Sequence, residues 1–121
     1  MSYITANRPV LQQTHYITNA RAHYWYNFYS RTLERHVRLY GEDFCLVING
    51  STAYDDAYVL PFKCVKDFFS PDYIDAHGRW MGDVEGVTVR LWRKGKPGKS
   101  IGAGEFHNAF HLFGHNSLTP A

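Results

Sequence analysis

Five cations fall within ten residues: Arg90, Arg93, Lys94, Lys96 and Lys99. No acidic residue stands between Glu85 and Glu105. Glycines at 95, 98, 102 and 104 let the backbone come close to a ligand and turn its N–H groups outward. The chemistry this suits is phosphate contact. Lysine and arginine gain affinity there by displacing counterions, so binding falls steeply with salt. A second basic group is Arg31, Arg35 and Arg38, spaced to share one helix face. Aromatics stand beside the cations in Arg79-Trp80 and Trp92-Arg93, and cluster in Tyr24-Trp25-Tyr26. Indole and phenol rings there would stack on bases. Trp80 and Trp92 are the candidates, although tryptophan in a small domain is most often core.

Other constellations lack a needed part. Gly-Lys-Pro-Gly-Lys-Ser, residues 95–100, imitates a nucleotide-binding loop, but the motif's leading glycine falls on Arg93. Ile-Gly-Ala-Gly follows, a poor start for the helix that loop requires. His107, His111 and His115 lie four residues apart, which would put the first two on one helix face. The pattern departs from the zinc-protease motif because Asn108 replaces the general base. His77 precedes the 79–92 hairpin, where a His-Asn-His nuclease would need a base histidine ahead of its helix. Asp55, Asp56, Asp72, Asp75, Asp83 and Glu85 are numerous, yet no Asp-x-Lys or Glu-x-Lys of a restriction-type metal core occurs. Gly98-Lys99-Ser100-Ile101-Gly102 has the Gly-x-Ser-x-Gly spacing of a nucleophile elbow, but Ile-Gly-Ala-Gly is again a poor start for the helix that an elbow requires. These gaps lead to an expectation of no catalytic residues, no metal and no cofactor.

The elements that must carry these residues follow from periodicity. Trp25, Tyr29, Leu33, Val37 and Tyr40 recur at helical spacing, and Gly41 is a natural stop, so residues 20–40 read as the longest helix. Tyr24, Tyr26 and Phe28 alternate as a strand would, which leaves 22–29 open between the two. Glu34 to Arg38 has the spacing of an intrahelical ion pair. Residues 44–60 read as a hairpin with a long loop after Asn49-Gly50. Pro61 and Pro71 each open a short helix, through Phe69 and about Ala76. Arg79–Trp92 reads as a hairpin around Gly86, 93–104 as a loop, and 105–113 as a short helix stopped by Gly114. Residues 1–17 read as an arm or edge strand, and 115–121 as a mobile tail.

Composition sets the outer limits. A chain of 121 residues with 45% hydrophobic and 17% aromatic content is expected to form a single domain around one core. No stretch reaches the roughly 20 apolar residues of a spanning helix. Residues 1–9 lack the build of a signal peptide. Cys45 and Cys64 sit in apolar runs and read as buried free thiols. Together these give an expectation of a cytoplasmic protein. The net charge of +2 is unevenly spread. Five arginines face one glutamate in 1–41, nine acids face three bases in 42–85, and five bases face one acid in 86–121.

The order Asn49-Gly50, Asp56-Ala57-Tyr58-Val59-Leu60-Pro61-Phe62, Arg79-Trp80 and Asn108 resembles the layout of small pseudobarrel modules. Such modules accompany nuclease domains in bacterial restriction systems and related DNA-reading proteins. The similarity spans roughly residues 44–113. It implies an α+β fold built on a strongly bent antiparallel or mixed sheet, or a small pseudobarrel, with two or three short helices. It also implies DNA contact from loops and strand edges, with no catalysis in this domain.

The leading expectation is therefore a non-catalytic DNA-binding module. Arg90, Arg93, Lys94, Lys96 and Lys99 contact phosphates, Arg31, Arg35 and Arg38 assist, and Trp80 or Trp92 stacks a base. Two alternatives stand beside it: a protein-interaction module presenting the acidic middle, and a small metal-dependent hydrolase or nuclease using His107, His111 and an aspartate.

Overall fold

The computed structural model describes residues 15–20, 24–51 and 55–113. Residues 1–14 of the expected arm, His115 and the expected tail lie outside them. Among these residues seven strands form two sheets. β1 (His15–Asn19), β3 (Cys45–Asn49) and β4 (Ala57–Pro61) make the first, in the order β1-β3-β4. β2 (Tyr26–Tyr29), β5 (Arg79–Glu85), β6 (Thr88–Trp92) and β7 (Lys99–Gly102) make the second, in that order. The fold is α+β. The sheets are not closed into a barrel; they meet where the Tyr29 N–H donates to the Tyr16 hydroxyl at 2.7 Å and Tyr16 packs edge-on against Phe28.

The first sheet is mixed. β1 runs parallel to β3, and β2 with helix α1 (Ser30–Tyr40) supplies the crossover that parallel pairing needs. β3 and β4 form the expected antiparallel hairpin, Asn49 opposite Ala57 and Cys45 opposite Pro61. Every residue of both strands is buried, which is why they read as unbroken apolar runs. Pro61 has no N–H to donate and sits at the end of the sheet's edge strand, where that costs least. Helix α2 (Phe62–Val65) follows at once. It is shorter than the expected helix through Phe69, and the Pro71 segment makes only a single 3-10 turn, Pro71–Tyr73.

The competition over residues 22–29 is won by the strand. Pairing with β5 buries Tyr26 and Phe28 completely, a return that an early start of α1 would forfeit. α1 begins at Ser30, whose N–H and hydroxyl both donate to the Gly78 carbonyl at 2.9 Å. It ends at Gly41, where φ is +64° and the N–H closes on Val37. Its inner stripe is Leu33, His36 and Tyr40, and Val37 is exposed instead of buried. Behind β2 and β5, Phe69 meets Phe28, Tyr26 and Trp80 edge-on, with centroids 5.7 to 6.3 Å apart. These aromatic contacts fill the core under the second sheet.

Three other expectations change. Residues 93–104 contain β7, which pairs with β6 and extends the hairpin to a third strand. The 105–113 helix is absent: two 3-10 turns, Gly104–Phe106 and Phe110–Phe113, flank Asn108 at φ +54°. A left-handed residue cannot continue an α-helix, so His107 and His111 do not share a helix face. Cys45 is buried as expected, whereas Cys64 is exposed on α2. Burial pushes the Cys45 thiol well above its ordinary pKa, so it is held protonated. No helix among the described residues is long and apolar enough to cross a membrane.

Candidate nucleic-acid interface

Side-chain alternation gives the second sheet two unlike faces. Tyr26, Phe28, Trp80, Val84, Val89 and Leu91 point into the core. The other face carries Asn27 and Tyr29 of β2, Met81, Asp83 and Glu85 of β5, Arg90 and Trp92 of β6, and Ser100 of β7. Trp25 continues the β2 set one position before the strand, and it lines an open groove of about 710 Å³ with Asp83, Glu85 and Arg90. Tyr24, at φ +62°, stands just before it and lines the same groove.

Arg90 sits at the centre of this face. Its Nε and Nη2 donate to the two oxygens of Asp83 at 2.7 and 2.6 Å, and its Nη1 reaches Glu85 at 3.2 Å. The antiparallel register puts Arg90 directly opposite Asp83, so the fork meets the carboxylate across the hairpin. The Trp92 indole N–H also donates to Asp83 at 3.3 Å, and the guanidinium lies 5.2 Å from the Trp92 ring centroid. Hydrogen bonds from Arg90 hold the Asp83 carboxyl below the usual carboxylate range, and the same bonds raise Arg90 further. The pair is ionised at neutral pH.

The remaining cations of the loop differ in how far they are engaged. Lys94 is exposed, with no ion pair among the described residues. Lys96 lies 3.5 Å from Asp72. The Arg93 Nε donates to the Ile74 carbonyl at 3.0 Å. Lys99 belongs to β7 and turns inward: its ammonium stands 4.4 Å from the Tyr73 ring centroid and donates to the Ser70 hydroxyl at 3.2 Å. Trp80 is a core residue, 4% exposed, with its N–H given to the Ser70 carbonyl at 2.8 Å. It offers no ring face to a base. Trp92 is 40% exposed.

Arg31, Arg35 and Arg38 do form one exposed stripe, opposite Leu33 and His36. None makes an ion pair among the described residues, and the expected Glu34–Arg38 bridge is not formed. The stripe spans about 10 Å of helix at about 1.5 Å per residue. The strand register joins it to the loop. Tyr29 pairs with Arg79, and Trp92 with Met81, so α1 starts at the sheet end where the 93–98 loop emerges. Three strand spacings, about 14 Å, separate β2 from β7 there.

His107 has another role than the one its spacing suggested. Its Nε2 lies 2.8 Å from Asp56 Oδ1, and its ring packs on Tyr58. Asn108 accepts the Ala57 N–H at 2.9 Å and donates to the Asp55 carbonyl at 2.8 Å. The Tyr24 hydroxyl donates to the Asp56 carbonyl. The two non-glycine residues with positive φ among the described residues, Tyr24 and Asn108, thus clamp one segment, 55–57. Among the described residues no three His, Cys, Asp or Glu side chains gather into a metal-holding group.

Trp25 and Tyr29 are the exposed aromatics that helical spacing assigns to a core stripe. The signal that finds them is the i, i+2, i+4 series Trp25, Asn27, Tyr29 read as one strand face. Comparison with protein-family models, with curated proteins and with solved structures returns no match.

Proposed function

We propose that this chain is a non-catalytic nucleic-acid-binding module that holds DNA by its phosphates, of the kind that serves a restriction or defence system. The observation that carries the reading is that α1, with its arginine stripe, starts at the same end of the second sheet as the cationic 93–98 loop. The Arg31, Arg35 and Arg38 stripe is exposed and has no carboxylate partner among the described residues, and the loop bearing Arg93, Lys94 and Lys96 emerges beside the start of α1. Cations without an ion pair, Lys94 and the three arginines, are the readiest to exchange counterions for phosphates, and Lys96 can do so by leaving Asp72. Arg90 and Lys99 act in support: Arg90 fixes Trp92 and Asp83, and Lys99 fastens β7 to Tyr73. A pseudobarrel-like arrangement of the two sheets, joined at Tyr16 and Phe28, belongs to the same proposal.

The test is a fluorescence-anisotropy titration of labelled DNA across salt. Lys94→Glu with Lys96→Glu should weaken binding severalfold and lower the slope of log K against log salt by about 0.9 for each duplex phosphate no longer neutralised. Arg31→Glu with Arg35→Glu should do the same independently. Unchanged affinity and slope in both variants refute the assignment.

A further inference from the structure

We propose that the outward face of the β2–β5–β6–β7 sheet is a stacking platform for the unpaired bases of a single-stranded polynucleotide. The inference rests on the nucleic-acid reading above and names the form of nucleic acid bound. Its first support is where the exposed aromatics lie. Trp25, Tyr29 and Trp92 are 41%, 46% and 40% exposed, and all three stand on this one face. A sheet face turned to water normally carries polar side chains, and three rings at least 40% exposed on one face depart from that pattern. Sequence-tolerant base stacking is the chemistry that uses such rings.

The second support is relief. Across β7 the outward positions are Gly98, Ser100 and Gly102, so nothing tall stands beside Trp92 and Arg90. A Cβ on Gly98 would come within 2.7 Å of the Trp92 ring, so the indole is laid against that backbone and fixed in orientation. The Arg90 guanidinium, locked flat by Asp83, is a further plane on which a base can stack. The third support is charge. The platform ends at the loop carrying Lys94 and Lys96; on the face itself Arg90 offsets one of two carboxylates, Asp83 and Glu85, and Glu85 stands at the end away from that loop. Bases on the face leave the phosphates to that cationic end.

Spacing sets the size of the site. Two strand steps and two residues along the strand separate Trp92 from either Trp25 or Tyr29, about 12 Å in each case. A stretched strand must pass several nucleotides across the face, within the ~4–16-nucleotide sites of single-strand-binding sheets.

The experiment compares labelled 12-nucleotide single-stranded DNA, the same sequence as RNA, and the DNA duplex. Wild type, Trp25→Leu with Tyr29→Leu, and Lys94→Glu with Lys96→Glu are measured at two salt concentrations. Both substituted rings are exposed, and circular dichroism checks that the fold is kept. The platform predicts single strand bound at least tenfold tighter than duplex, quenching of tryptophan fluorescence, and a tenfold or greater loss in the ring variant with an unchanged salt slope. The DNA and RNA arms identify the sugar. Duplex bound as tightly as single strand, or a ring variant of wild-type affinity, overturns the platform and leaves the phosphate reading standing. No binding of any of the three at low salt overturns both.

Discussion

Removing the charge of Asp83 while keeping its shape isolates the pair at the centre of the sheet face. The Asp83 side chain is only 8% exposed and that of Arg90 is 30% exposed, so water replaces the missing partner poorly on one side and fairly well on the other. Two charge-assisted hydrogen bonds, at 2.6 and 2.7 Å, are at stake, each of a kind that contributes about 1.5–3 kcal/mol net. In Asp83→Asn one acceptor survives for Arg90 or for Trp92, and Arg90 retains Glu85 at 3.2 Å. The loss should therefore be about 2 kcal/mol, below the ~3–5 kcal/mol of a fully buried broken pair. With a urea m-value of about 1.5 kcal/mol/M, the unfolding midpoint should fall by about 1.3 M.

Arg90→Met leaves the carboxylate unpaired instead and should cost at least as much. The double variant should be little worse than either single one, giving a coupling of about 1.5–2 kcal/mol in the cycle. The pH dependence has a fixed sign. The Asp83 carboxyl is depressed by Arg90, so its stabilisation is complete above the ordinary carboxylate value of 3.8 and is lost as pH falls through the lower, folded one. The gap between wild type and Asp83→Asn should thus be widest at neutral pH and close in acid. A midpoint shift under about 0.3 M at pH 7, or additive single effects, would refute this account of the pair.

Substitutions at two further positions probe how the faces are built. A Cβ at Gly82 would lie 1.8 Å from the Arg90 carbonyl oxygen and 2.7 Å from the Tyr26 hydroxyl, which itself donates to that oxygen at 2.9 Å. Gly82→Ala should force β5 and β6 apart at a cost of about 3 kcal/mol or more, and a thermal melt within a degree or two of wild type would show that the strands do not approach so closely. Asn108→Ala removes two hydrogen bonds to 55–57 and leaves alanine at φ +54°, for about 2–3 kcal/mol. Asn108→Gly should recover the backbone part alone; equal urea midpoints for the two variants would mean that strain contributes nothing.

How much of this was legible in the sequence depends on the range of the forces involved. The β3–β4 and β5–β6 hairpins announce themselves through alternation, apolar runs and Gly turns, because neighbouring residues pair with each other. β1 pairs with a strand thirty residues away, and nothing in His-Tyr-Ile-Thr-Asn states its partner. The helix expected at 105–113 fails at Asn108, whose left-handed backbone is held by contacts with residues fifty positions earlier. Trp25 and Tyr29 fit a helical stripe equally well on paper. Only the β5 edge, which buries the intervening Tyr26 and Phe28, decides that the pair faces water.

The same long-range pairing alters what a run of charges means. By sequence density the 90–99 segment is the strongest cation cluster, and the 42–85 segment an acidic counterpart. In three dimensions the second segment supplies partners to the first. Asp83 takes Arg90, Asp72 approaches Lys96, and Ser70 and Tyr73 hold Lys99. Without a carboxylate among the described residues are Lys63, Arg93, Lys94, Lys99 and the three arginines of α1, and of these Arg93 is tied to the Ile74 carbonyl and Lys99 to Ser70 and Tyr73. A run of lysine and arginine thus overstates the electrostatic strength of its loop whenever a hairpin or a packed turn brings carboxylates to it. Lys94 and the start of the arginine stripe lie at one end of a sheet face bearing three aromatic rings at least 40% exposed, and that combination distinguishes this surface from an ordinary solvated hairpin tip.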